Sequence, residues 1–175
     1  MKLIAIGASS SSSSINQRFA SHAAHQVGGA EVTEFSLRDL ALPVYSEDEE
    51  KENGIPADAR RFLDALRDHD GIVVSLAEHN GSYTAAFKNL YDWASRAEQS
   101  VWQGKPMLLL SSSPGARGGA AVMEAAKATF PRMGARLEAS FSLPQFHENF
   151  SESGINDPAL SSRFLEAVTS FADSL

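Results

Sequence analysis

Three apolar runs constrain this chain more than anything else in it: Leu3-Ile4-Ala5-Ile6, Gly71-Ile72-Val73-Val74-Ser75-Leu76-Ala77 and Met107-Leu108-Leu109-Leu110. None shows the polar–apolar alternation of a half-exposed strand. Each therefore reads as a strand buried on both faces, as in a parallel sheet covered by helices. Each run also opens into small residues and then a helical pattern. Ile15 to Val27 places Ile15, Phe19, Ala20, Ala23, Ala24 and Val27 at helical spacing, and Gly28-Gly29 ends it. Glu31 to Leu37 reads as a second strand towards an edge. Ala57 to His69 is a helix facing inward through Phe62, Leu63 and Leu66, and another runs through Phe87, Leu90, Tyr91 and Trp93. Ala120 to Phe130 is helical, Arg136 to Leu143 reads as a fifth strand and Pro158 to Phe171 as a closing helix. Strand and helix alternate throughout, so the expected class is α/β with a five-stranded parallel sheet. Right-handed crossovers leave few orders, and 2-1-3-4-5, the flavodoxin-like three-layer sandwich, fits best.

The loops behind the first, third and fourth strands are small-residue-rich, and in such a sheet they meet beyond the carboxyl ends of the strands, where ligands sit. The first is Gly7-Ala8 followed by the serines 9 to 14, then Ile15-Asn16. Small residues let backbone N–H groups converge there, hydroxyls add donors, and the helix beginning near Ile15 contributes its positive end. Ser14 is placed to cap that helix. No Lys or Arg lies between Lys2 and Arg18, so an anion held here is gripped by neutral donors. A flexible polyserine linker is the bland alternative, but a linker has no reason to follow a first buried strand. Neither G-x-G-x-x-G nor G-x-x-x-x-G-K-[ST] occurs. The second loop is Glu78-His79-Asn80-Gly81-Ser82, and the third runs from Ser111 to Gly119.

A chain of 175 residues is long enough for one domain with a real core, here read as 1–175. Fifteen basic against 22 acidic side chains give a net charge of −7, which argues against nucleic acid or an anionic membrane as partner. Without cysteine there is no disulfide, thiolate nucleophile or iron–sulfur cluster. No apolar run approaches the roughly 20 residues of a membrane span, and the N-terminus enters a strand directly, so a cytoplasmic protein is expected. The acidic run Glu47-Asp48-Glu49-Glu50 reads as a solvated part of a loop from Leu42 to Pro56. His22 and His25 lack a third ligand, so no metal is expected. His147-Glu148 is not H-E-x-x-H, and no G-x-S-x-G elbow marks a hydrolase.

Taken together, the three loops resemble the NADPH-dependent FMN reductase family, which includes quinone and chromate reductases. That family opens with G-S-x-R-x-x-S-x-N. Here Ser14-Ile15-Asn16 matches its end and Ser9 and Ser11 fall in its middle, with Ala8 in the glycine's place and Ser11 where many members carry arginine. The family's P-E-Y-N-x-S and K-N-x-x-D-W are matched by Ala77-Glu78-His79-Asn80-Gly81-Ser82 and Lys88-Asn89-Leu90-Tyr91-Asp92-Trp93. Its S-P-G-x-x-G-G is complete from Ser113 to Gly119. The matches span about residues 1 to 135.

The resemblance implies FMN with its phosphate on Ser9, Ser11, Ser14, Ile15 and Asn16, and its ring between Ala77, Glu78, His79, Asn80, Gly81 on one side and Ser113, Gly115 on the other. It implies NADPH (or NADH) as hydride donor, a quinone or similar small-molecule electron acceptor, a ping-pong cycle, and a homodimer or homotetramer. The flavin carries the chemistry, so no catalytic side chain is nominated. Backbone N–H groups of the glycine turn would stabilise the anionic reduced ring. Arg117, exposed in that turn, reads first as an ordinary surface residue, with the 2′-phosphate of NADPH as its alternative partner. Two other readings stay open: a flavodoxin-type electron carrier, and a binding module for another phosphorylated ligand.

Overall fold

The apolar runs become strands and the periodic segments helices, in a computed structural model that describes residues 1–175. In chain order, β1 (Lys2–Gly7), α1 (Ile15–His25), β2 (Glu31–Phe35), α2 (Glu47–Asn53), α3 (Ala57–Arg67) and β3 (Gly71–Leu76) form the first half. There follow β4 (Glu78–His79), β5 (Ser82–Tyr83), α4 (Ala85–Ala97), β6 (Pro106–Ser112), α5 (Ala120–Thr129) and β7 (Arg136–Leu143). The chain closes with α6 (Phe146–Asn149), β8 (Phe150–Ser151), β9 (Gly154–Ile155) and α7 (Pro158–Ala172). The main sheet is parallel throughout, in the order β2-β1-β3-β6-β7. Counting only its own strands, that is 2-1-3-4-5, as the alternation implies.

Side chains alternate across the sheet into two cores. Ile4, Ile6, Ile72, Val74, Leu76 and Met107 pack against Phe62, Phe87, Trp102 and Phe130 on the face covered by α3, α4 and α5. Leu3, Ala5, Val73, Leu108 and Leu110 pack against Phe19, Phe164 and Phe171 of α1 and α7 on the other. The register sets Gly7 opposite Ser75 and Leu76 opposite Ser111, so the three ligand-side loops leave the sheet at one level. Trp93 and Tyr91 are buried in the protomer's own interior.

Three segments differ from the sequence reading. The acidic loop holds a helix, α2, because Ser46 caps it: its Oγ accepts from the Glu49 N–H at 3.1 Å. Four acidic residues then occupy the first turn, where the helix dipole favours them. Glu50 reaches out of it to Arg96 at 2.9 Å, and this guanidinium holds the Glu50 carboxyl below its ordinary range. Second, the loop after β3 is a hairpin, described below. Third, the stretch between β7 and α7 folds into α6 and the β8–β9 hairpin.

That last hairpin leans on a histidine. The His22 ring stacks on Phe164 at 5.6 Å and meets Phe150 edge-on at 5.1 Å. Burial lowers its pKa below 6.5, and neighbouring His25 lowers it further. The unfolded chain therefore takes up this proton more readily than the folded one, and stability falls as pH drops below the ordinary histidine value. Urea unfolding at pH 7 and pH 5 should show this loss, and His22→Phe should reduce it.

Candidate functional site

The serine turn owes its shape to Gly7. A Cβ at that position would lie 2.3 Å from the Gln17 backbone nitrogen and 2.4 Å from its Cα, so α1 comes down directly onto β1. The Gly7 N–H donates to Gln17 Oε1 at 2.8 Å, and Ser14 Oγ accepts from the Gln17 N–H at 3.1 Å as the helix cap. This close approach requires glycine at position 7, and Ala8 beside it is buried. The N–H groups of Ser12, Ser13, Ser14, Ile15 and Asn16 donate to no acceptor in the protein. A run of unpaired amides at a helix N-terminus is an anion cradle.

The Asn16 side chain is committed within the protein, although the residue lines the cavity named below. Its side chain is buried; Nδ2 donates to the Ser112 carbonyl at 3.1 Å, and Oδ1 accepts from Ser75 Oγ at 2.7 Å. The amide thus pins the serine turn to the ends of β3 and β6, and only the Asn16 main chain is free to face a ligand. Thr84 makes a parallel tie by donating its hydroxyl to the Ala8 carbonyl at 2.8 Å.

The second loop is a two-residue hairpin joining β4 and β5, with Asn80 at φ 52° and Gly81 at φ 76°. Both centres are left-handed, which Asn-Gly adopts readily. Glu78 extends from it to α5, where its Oε2 accepts from the Val122 N–H at 3.0 Å. In the third loop, Ser111 Oγ donates to the Gly118 carbonyl at 2.7 Å. A Cβ on Gly118 would come within 2.9 Å of the Leu143 and Pro144 backbone, so that turn also requires glycine. The N–H groups of Ser113, Gly115, Ala116 and Arg117 donate to no acceptor in the protein.

These loops enclose a cavity of about 220 Å³ beyond the carboxyl ends of β1, β3 and β6. Of the residues named from sequence, Ser9, Ser11, Ser14, Ile15, Asn16, Ala77, Glu78, His79 and Ser113 line it together, whereas Asn80, Gly81 and Gly115 stand outside its wall. Ser13, Ser112 and Pro114 complete the lining. Ser112 left a signal: polar residues ending an otherwise apolar buried strand. No Lys or Arg lines this cavity, and His79 is its one aromatic side chain. Tyr83 turns away, stacking on Phe130 at 6.2 Å and reaching Thr129 with its hydroxyl. Arg117 is on the wall neither of this cavity nor of the neighbouring one behind the serine turn. Among the described residues no three His, Asp or Glu side chains group as metal ligands, and no helix is long and apolar enough to cross a membrane.

An anion cradle on one wall and the start of the third loop, Ser112 to Pro114, on the other, at the switch point of a 2-1-3-4-5 sheet, define a flavodoxin-like protein with a donor-lined cavity. Solved structures share the architecture. A flavoenzyme NAD(P)H:(acceptor) oxidoreductase, FerB, from Paracoccus denitrificans superposes with a TM-score of 0.77 at 25% identity, over 98% of this chain and 95% of that one. The chain belongs to the NADPH-dependent FMN reductase family, whose model matches residues 1–148. Among curated relatives, a quinone reductase of Escherichia coli K12 is 38% identical over 79 residues, 45% of this chain and 42% of the relative. A 2-hydroxy-1,4-benzoquinone reductase of a Burkholderia species is 37% identical over 99 residues, 54% and 53% of the two chains. The alignments therefore span about half the length of these curated relatives.

Proposed function

We propose that the chain, as one domain, holds FMN in this cavity and works as an NAD(P)H-dependent oxidoreductase towards a quinone or similar small acceptor. One observation carries the reading: unpaired main-chain donors at Ser13–Asn16 and at Ser113 line the same switch-point cavity, and each set continues just beyond the wall, at Ser12 and at Gly115–Arg117. The first set suits a phosphate monoester, and the second suits a ring edge that gains negative charge on reduction. Bound FMN would supply hydride acceptance from reduced nicotinamide and two-electron delivery to the acceptor. The residues supply position and electrostatics. Asn16 and Thr84 hold the phosphate turn against the sheet, Glu78 ties the hairpin to α5, and His79 lies at the mouth where donor and acceptor take turns. A carrier that sandwiches its ring between aromatic side chains is less well served, since His79 is alone and Tyr83 faces the core. The quinone reductase names of two curated relatives support the acceptor class. A homodimer or homotetramer in the cytoplasm belongs to the same reading.

The test is spectroscopic. Purified protein supplied with FMN should stay yellow through gel filtration, bleach anaerobically on addition of NADPH or NADH, and recolour on addition of a benzoquinone. A colourless protein that ignores FMN overturns the reading. A yellow protein that neither nucleotide bleaches is the electron carrier.

A further inference from the structure

A second cavity, about 240 Å³, opens on the other side of the serine turn, between the ends of β1 and β2. It shares Ser9, Ser11, Ser13 and Ser14 with the first cavity, has no hydrophobic residue on its wall, and is flanked by Arg18 and Arg38. Neither guanidinium forms an ion pair with a carboxylate in the protein. Arg18 lies over the Phe146 and Phe150 rings at 5.5 and 5.7 Å. Glu34 is the one acid on the wall, and it accepts a hydrogen bond from the Ser21 hydroxyl. Cations therefore do stand beside the serine turn, brought there by α1 and by the segment after β2.

We propose that this cavity binds a phosphate monoester, the 2′-phosphate of NADPH, and that Arg18 and Arg38 make the protein prefer NADPH to NADH. The assignment rests on the FMN-reductase reading. Two arginines without a carboxylate partner, on a wall otherwise made of serines with Gln17 and Glu34, match a dianionic, many-acceptor group better than a neutral ribose diol. The serine turn is a wall of both cavities. An adenosine crossing that turn would leave its nicotinamide end at the ring loops. Arg117, which lines neither cavity, is thereby displaced as the 2′-phosphate partner.

The experiment uses FMN-loaded protein and calorimetric titration with adenosine 2′,5′-bisphosphate, 5′-AMP and inorganic phosphate. The bisphosphate should bind at least about tenfold more tightly than 5′-AMP, and Arg18→Ala or Arg38→Ala should each remove about tenfold of that preference. The NADPH-to-NADH ratio of kcat/KM should fall in step. Both arginines are exposed, so the variants fold. Equal binding of bisphosphate and 5′-AMP overturns the proposal, as does a ratio unchanged in Arg38→Ala or lost in Arg117→Ala. Inorganic phosphate binding as tightly as the bisphosphate assigns the cavity to free phosphate and overturns it too. A protein that refuses FMN defeats the flavin reading, whereas a yellow, bleachable protein indifferent to the 2′-phosphate defeats this proposal alone.

Discussion

Gly7→Ala is expected to cost roughly 3 kcal/mol of stability or more, a large share of what a domain of this size has. The added methyl meets backbone: Gln17 N and Cα at 2.3 and 2.4 Å, with Gln17 Cβ at 2.8 Å. No rotamer change relieves a clash with backbone, so α1 must lift from β1 and take Ser14 and the five unpaired amides with it. The urea midpoint should fall steeply, and any folded fraction should have lost its hold on FMN. Ala8→Gly, which restores the family's glycine one position later, should cost only about 1 kcal/mol for the lost buried methyl. Equal urea midpoints for Gly7→Ala and the parent would refute the close helix–strand packing.

Asn16→Leu comes next in size, at about 2–4 kcal/mol, because it deprives two buried groups, Ser75 Oγ and the Ser112 carbonyl, of their partner while keeping the branched outline of the side chain. The cost should not add to that of Ser75→Ala. A double-mutant cycle should return about 1 kcal/mol of coupling between the two positions. Asn16→Leu keeps every main-chain donor of the cradle. It should therefore weaken FMN through a loosened turn, with faster release, and leave the spectrum of whatever flavin is bound unaltered. Additive costs at 16 and 75 would refute the Asn16–Ser75 hydrogen bond as a tie between the turn and β3.

The sheet was legible because strands buried on both faces must be apolar without interruption, and few other segments of the chain read that way. Its order followed from handedness and connection rules. The turns at Ser9–Asn16 and Ser113–Gly119 were legible too, since small residues behind a buried strand have little other use. Two local features were written in the sequence and overridden by composition: Ser46 and Glu49 are a helix cap hidden in an acidic run, and Asn80-Gly81 is a hairpin turn read as plain loop.

What sequence alone determined is what depends on neighbours a few residues apart: strand and helix periods, the Ser14 cap, the glycines that turns demand. Tertiary structure decided the partners. Asn16 meets Ser75 and Ser112 across separations of 59 and 96 residues, and Glu78 meets Val122 across 44. Arg38 reaches the serine turn from beyond β2 and joins Arg18, a near neighbour in sequence, on one cavity wall. Such encounters are set by strand order and register, and no local pattern encodes the distance between side chains that only the closed sheet brings together.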